Sequence, residues 1–120
     1  MDKIDIVEEL EKIRARNAEV SSTTVLKTDS LRVVLMALKA GAKLHEHHAD
    51  GRLLLQVLEG EIEFDAENAR SRLGAGMLAS IEAFVPHAVE ASIDTVLLLT
   101  IAWRPAEQAK AGSHRDVGYE

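Results

Sequence analysis

The sequence predicts an all-β domain, an antiparallel sandwich or barrel, preceded by one α-helix. From residue 21 onward, short stretches rich in β-branched and aliphatic residues alternate with Gly, Asp, Asn or Pro, which is typical of antiparallel β-folds. Before residue 21, the apolar residues follow the period of an α-helix instead. The chain has 120 residues, a length at which one domain is expected and at which the core needs no disulfide or structural metal.

The first element is an amphipathic helix predicted over residues 3–17. Ile6, Leu10 and Ile13 recur at helical spacing and share one face, whereas the opposite face is charged. We expect the apolar face to pack on the rest of the domain or on a partner. Residues 1–20 are therefore assigned to an N-terminal helical segment.

The predicted strands that follow define a barrel over residues 21–103. They lie at residues 21–28, 31–40, 53–60, 61–66, 76–83, 87–92 and 95–103. Residues 33–38 and 96–101 are apolar on both faces, so one face would line the barrel while the other packs on a second layer or a subunit. This pattern predicts a homodimer. Residues 104–120 lose the periodicity and are predicted to form a surface tail.

Composition argues against several classes of function. With 14 basic and 20 acidic residues the net charge is −6, which disfavours nucleic acid as a partner because phosphate binding requires a basic face. The absence of cysteine excludes thiolate metal sites, thiol catalysis and disulfides, and it agrees with a cytoplasmic location. No apolar run reaches 18 residues, so no membrane span is expected, and the charged N-terminus does not resemble a signal peptide.

The stretch GAKLHEHHADGR at residues 41–52 concentrates side chains that can bind a ligand. In an extended strand residues i and i+2 point to the same face, so His45 and His47 would form a chelating pair while His48 faces away. Neutral imidazole binds Fe, Ni, Cu and Zn. Alone, this pattern is a weak signal, because nearby histidines in an acidic surface loop are more often solvated.

Two segments of the chain resemble the paired motifs of the cupin superfamily, in its small single-domain form. The first runs from Gly41 through the histidines to QVLEGE at residues 56–61, and the second is GAGMLASIEAFVPHAVEA at residues 74–91. The resemblance spans residues 31–102 and implies a jelly-roll barrel, that is, a double-stranded β-helix. Both motifs are partly degenerate, and Met77, for example, stands where the family usually has an acidic residue.

In metal-binding cupins, two histidines of the first motif and one of the second meet inside the barrel together with a carboxylate. By this resemblance His45, His47 and His87 would hold a divalent metal, one of Fe, Ni, Zn, Cu or Mn. The place of the carboxylate holds Leu53 or Arg52, depending on the end of the motif from which it is counted. Three histidines alone would still leave open positions for a substrate. The alternative is a degenerate cupin whose pocket binds no metal.

A small-molecule ligand is expected beside the histidines. Arg52 would pair with a substrate carboxylate if its side chain points inward. The apolar lining would come from Leu53, Met36, Met77 and Phe84. The alternatives are a solvated arginine and ordinary core packing of the apolar residues.

Three functions remain open from the sequence. The first is a cupin barrel that binds a divalent metal, a small molecule or both through the histidine cluster. The second is a metal-dependent three-histidine enzyme of the dioxygenase or isomerase type. The third is a metal-free ligand-binding or structural dimer. Because no acid–base pair occupies the matched positions, binding ranks above any named reaction, and whether the protein is an enzyme stays open.

Overall fold

The computed structural model describes residues 1–103, so the predicted tail at residues 104–120 lies outside the described residues. Within this part, one helix precedes nine antiparallel strands. They are α1 Ile6–Arg14, β1 Val20–Lys27, β2 Leu31–Leu38, β3 Lys43–His47, β4 Arg52–Glu59, β5 Glu61–Ala66, β6 Ala69–Gly74, β7 Leu78–Ile81, β8 His87–Ala91 and β9 Thr95–Ala102. No helix in residues 1–103 is both long and apolar enough to span a membrane.

The strands form the two sheets of a jelly-roll barrel, which confirms the predicted fold class. One sheet has five strands in the order β1-β2-β9-β4-β7, and the other has four in the order β3-β8-β5-β6. Their facing sides enclose the main core, whose fully buried members include Val34, Leu55, Val57, Ile62 and Leu99. Along β4, buried residues alternate with partly buried ones, which shows how this pattern is encoded in the sequence.

Helix α1 is shorter than the predicted range of residues 3–17. It begins after Asp5, whose side chain accepts a hydrogen bond from the Glu8 amide at 3.1 Å and caps the first turn. Ile13 is 1 % exposed and packs with Leu35 and Val96 on the outer face of the five-stranded sheet. The helix therefore provides the second layer that the doubly apolar strands β2 and β9 require.

Two strands, β3 and β6, were not predicted from the sequence. β6 is an edge strand in which only Leu73 is buried, so it lacks the apolar alternation that identifies a strand. Its outward side chains instead pair with the neighbouring strand, since Arg70 lies 2.9 Å from Asp65 and Arg72 lies 3.0 Å from Glu63. β3 is short and irregular, as described below.

The turn between β4 and β5 depends on Gly60. Its φ is +89°, a left-handed conformation that residues with a side chain rarely adopt, and an added Cβ would collide with the carbonyl oxygen of Asp94. This turn joins the two sheets at one end of the barrel. At the opposite end lie loops 48–51 and 82–86, which connect β3 to β4 and β7 to β8; we call this end the mouth.

Candidate functional site

Two of the predicted histidines meet at the mouth. His47 ends β3 and His87 begins β8, and the two residues are direct partners in the four-stranded sheet. Their ring centroids are 4.5 Å apart with an interplanar angle of 64°, an edge-to-face arrangement. His87 is 2 % exposed and also lies 6.0 Å from the ring of Phe64, whereas His47 is half-buried. We call these two residues the histidine pair.

The structure does not bring His45 to the histidine pair. Leu44 faces Val89 and His47 faces His87, so His45 and Glu46 together stand opposite the single residue Ala88. This is a β-bulge, which places an extra residue on one strand and breaks the two-residue alternation of side chains. As a result Leu44 packs against the core and His47 points to His87, but His45 is exposed.

Each ring of the histidine pair is held by a backbone carbonyl. Nδ1 of His47 lies 2.6 Å from the carbonyl oxygen of His45, and Nδ1 of His87 lies 2.9 Å from that of Val85. Because a carbonyl oxygen only accepts hydrogen bonds, each Nδ1 carries the proton and Nε2 is the basic nitrogen of the neutral ring. Nε2 of His47 is buried. Both rings are thus fixed in tautomer and orientation.

The environment of His87 favours its neutral form. Burial lowers the pKa of His87 below its usual value, and the nearby His47 and His48 lower it further, while the hydrogen bond to the Val85 carbonyl acts in the opposite direction. Since His pKa values lie near about 6.5 in the absence of such effects, His87 is uncharged at neutral pH. A neutral ring can donate at one nitrogen and accept at the other.

The predicted ligand-contacting residues lie in different places. Leu53 and Met36 are buried in the main core, at 1 % and 3 % exposure. Arg52 is on the outer face of β4, where its guanidinium donates to Ser80 Oγ at 2.8 Å and lies 3.9 Å from Glu82. Met77 and Phe84 are exposed, at 48 % and 64 %. An inward position for Arg52 is therefore not found.

Phe84 has an unusual conformation at the mouth. Its φ is +67°, in the left-handed region, which is rare for a bulky residue and costs backbone strain. Its amide donates to the carbonyl of Ala49 at 2.7 Å, and its ring lies 6.1 Å from that of His48. Phe84 thereby joins the two loops of the mouth, a role that sequence reasoning missed because φ is set by loop closure.

Arg32 is a second residue that sequence reasoning missed. It is 7 % exposed and lies on the inner side of β2, the side that also carries Val34 and Met36. Its partner across the sheet is Ile101, which in turn faces Leu53, so Arg32 occupies the same end of the barrel as the histidine pair. The alternation of Arg32 with Val34 and Met36 along the strand was the signal in the sequence that could have identified its buried position.

A cleft of about 550 Å³ opens beside His87. It is bounded by Glu46 of β3, by the turn between β5 and β6, and by residues 85–88. Among the described lining residues, Glu46, Asp65 and Glu67 are acidic and Arg70 is basic. The Arg70 guanidinium forms ion pairs with Asp65 at 2.9 Å and with Glu90 at 3.4 Å. Glu90 is not one of the residues that line the cleft.

The histidine pair offers the type of donor that divalent metals bind, but too few donors for a complete site. Both rings are anchored to a backbone carbonyl through Nδ1, which is the arrangement that metal-ligating histidines use. Catalytic zinc sites, however, have three protein ligands, and residues 1–103 contain no group of three or more His, Cys, Asp or Glu that could hold an ion. The described residues therefore do not complete a metal site.

Comparisons with known proteins identify the fold. A family model described as the cupin domain matches residues 32–102. No curated protein matches the chain. A cupin superfamily protein from Desulfitobacterium hafniense superposes with a TM-score of 0.68 at 19 % identity, over 71 % of this chain and 78 % of that one. A protein of unknown function from Streptococcus pyogenes gives a TM-score of 0.70 at 20 % identity, over 86 % of this chain and 88 % of that one.

A larger enzyme contains a similar barrel. Salicylate 1,2-dioxygenase from Pseudoaminobacter salicylatoxidans superposes with a TM-score of 0.72 at 16 % identity, covering 93 % of this chain but 33 % of that chain. At such identities the likeness shows the fold alone.

Proposed function

This chain belongs to the cupin superfamily, and we propose that it binds a small molecule in the cleft beside the mouth of its barrel, with His87 of the histidine pair as the inner polar contact. The observation that carries the proposal is His87: it lines a cleft of about 550 Å³, is 2 % exposed, and its ring lies 4.5 Å from that of His47. Fixed polar groups beside an apolar core and a pKa shifted by burial are features of ligand sites.

The charges of the cleft favour a neutral or cationic ligand. Glu46, Asp65 and Glu67 contribute three carboxylates to the described lining, and Arg70, the basic member, is already paired with Asp65 and Glu90. An anion entering this cleft would meet net negative potential, whereas a cation would be attracted. A neutral polar molecule would rely on a hydrogen bond to the ring of His87.

Three probes that share a benzene ring test this proposal: benzamidine as the cation, benzamide as the neutral molecule and benzoate as the anion. Binding is followed by amide chemical shifts of His87, Ala88 and Asn68 in isotope-labelled protein. We expect benzamidine and benzamide to shift these signals more strongly than benzoate. The substitution His87→Gln should weaken the binding of benzamidine and benzamide about threefold or more, which is the effect expected from the loss of one hydrogen bond.

The matched control is His45→Gln, the same change at an exposed position on β3. It should leave the affinities unchanged. Equal losses in the two variants, or preferential binding of benzoate, would contradict the proposed site.

A divalent metal is the second candidate ligand, favoured by the tautomer of both rings. Since the described residues supply two donors, such an ion would need at least one further donor. The test is elemental analysis of the purified protein, with and without added Fe, Ni, Zn, Cu or Mn, and of His47→Ala. Near-stoichiometric metal that disappears in the variant would establish a metal site and justify a screen for oxygenase and isomerase activity.

We also propose that the protein is a homodimer formed through the outer face of the five-stranded sheet. Helix α1 covers Leu35 and Val96, but Leu78 remains 60 % exposed on this sheet, and Val7 of the helix is 67 % exposed. Exposed apolar surface of this kind favours association. Light scattering tests the proposal: we expect the wild type to be a dimer and Leu78→Lys to be a monomer. A monomeric wild type would refute the proposal.

A further inference from the structure

A second cavity, of about 250 Å³, lies between the C-terminal end of α1 and the outer face of the five-stranded sheet. It is reached from the end of the barrel opposite the mouth, where β2 ends and β9 begins. We call it the helix–sheet cavity. We infer that it is a binding site for a small uncharged alcohol or ketone, whose oxygen hydrogen-bonds to Ser21.

The hydroxyl of Ser21 is the observation that points to a ligand. Ser21 lines the cavity and is 5 % exposed, and its Oγ is buried without a hydrogen-bond partner among residues 1–103. Buried polar groups are almost always hydrogen-bonded, because leaving one unpaired lowers stability. A ligand oxygen inside the cavity would supply the partner when the Ser21 side chain rotates to turn its hydroxyl toward the cavity.

The other buried hydroxyl of the cavity shows the contrast. Thr95 is 2 % exposed, but its Oγ1 accepts a hydrogen bond from the Glu61 amide at 3.1 Å and lies 2.8 Å from the carbonyl oxygen of Ile93. The Thr95 hydroxyl therefore stabilises the turn between the two sheets. Ser21 has no comparable structural task, since its strand partner is Ala37, which has no polar side-chain atom.

The charged residues at the rim indicate an uncharged ligand. Arg14 pairs with Glu59 at 2.6 Å, and Lys39 Nζ donates to the side-chain oxygen of Asn17 at 2.6 Å. Asp94 accepts a hydrogen bond from the Ala40 amide at 2.9 Å. Since these charged groups have partners within the protein, the Ser21 hydroxyl is the group that would hydrogen-bond to a ligand inside the cavity.

The walls and the volume define the size and character of the ligand. Ile13, Ala18 and Ala37 contribute apolar surface. The volume of about 250 Å³ is several times the roughly 30 Å³ that one water molecule occupies in the liquid, and it is slightly below the range of drug-sized pockets. A molecule with a single ring and one oxygen has suitable dimensions.

The experiment compares cyclohexanol with methylcyclohexane, which has a similar shape but no hydroxyl. Amide chemical shifts of Ser21, Ala37 and Thr95 report on the cavity, and those of His47 and His87 report on the mouth. Cyclohexanol is expected to shift the cavity signals saturably in the wild type. Ser21→Ala should weaken cyclohexanol about three- to tenfold, the worth of one hydrogen bond, and leave methylcyclohexane unchanged.

Two further variants complete the design. Ser71→Ala makes the same change at an exposed serine on β6 and should leave both affinities unchanged. Ala37→Val narrows the cavity and should weaken both probes, which tests the site independently of Ser21. The inference is overturned if cyclohexanol causes no saturable shift at the cavity, if its shifts are confined to the mouth, or if Ser21→Ala weakens both probes equally.

Discussion

Replacing His87 with leucine is expected to remove part of the sensitivity of the protein to acid. Burial holds the pKa of His87 in the folded protein below its usual value, which is near about 6.5 in an unfolded chain. On acidification, the unfolded chain therefore takes up a proton at this residue before the folded protein does. Between the two pKa values the unfolded state binds more protons, so the free energy of unfolding falls as the pH falls.

The pH dependence of the free energy of unfolding that one histidine can cause has an upper limit. A difference of one proton gives a slope of about 1.4 kcal/mol per pH unit, and a single histidine cannot exceed it. Near neutral pH, His87→Leu should be less stable than the wild type by about 1 kcal/mol, because the Val85 carbonyl loses its hydrogen bond. Below about pH 6.5 the wild type alone bears the cost of His87 protonation, so this difference should shrink.

The assay is urea unfolding at a series of pH values, followed by the fluorescence of Trp103, the single tryptophan. His45→Leu is the control, since His45 is exposed and outside the histidine pair. An equal change of pH dependence in this variant would show that the loss of any histidine, and not of the buried one, is responsible. If the curve of His87→Leu stays parallel to that of the wild type, then burial does not lower the pKa of His87, and the reasoning is wrong.

Two further predictions concern the fold that positions the site. Gly60→Ala should lower the free energy of unfolding by about 2 kcal/mol or more, because Gly60 has a left-handed conformation and an added Cβ would collide with Asp94. Gly74→Ala is the control and should have little effect, because the space around Gly74 is open. Urea unfolding measures both variants. Leu55→Ala should cost about 3 kcal/mol through a core cavity, clearly more than Leu54→Ala on the outer face, and equal losses would contradict the assignment of faces.

The sequence predicted the strands whose side chains are sorted by burial. β4, β5 and β9 agree with prediction to within a residue at most ends, because their apolar runs end at turn residues such as Gly60 and Asp94. β6 was missed because pairing with an acidic neighbour, and not burial, defines it. The burial of Arg32 follows from its register, which a residue-by-residue assessment of polarity does not reveal.

The candidate site was predicted in part, and the β-bulge explains the difference. His47 and His87 meet as the cupin resemblance implies, but regular pairing onward from Leu44 would have put Glu46 opposite His87 and turned both His45 and His47 outward. The extra residue shifts the register by one. It exchanges a buried carboxylate for a buried imidazole, and this exchange cannot be deduced from alternation.

This explanation makes a prediction about a deletion. Without Glu46, His45 alone would stand opposite Ala88, and Leu44 and His47 would keep their present partners in a regular ladder. We therefore expect the deletion variant to fold and to retain the contact between the rings of the histidine pair, with His45 still facing outward. Nuclear Overhauser effects between the two imidazoles measure this contact. Their loss in a folded variant would show that the bulge does more than set the register, because the pairing argument leaves no other route to separating the rings.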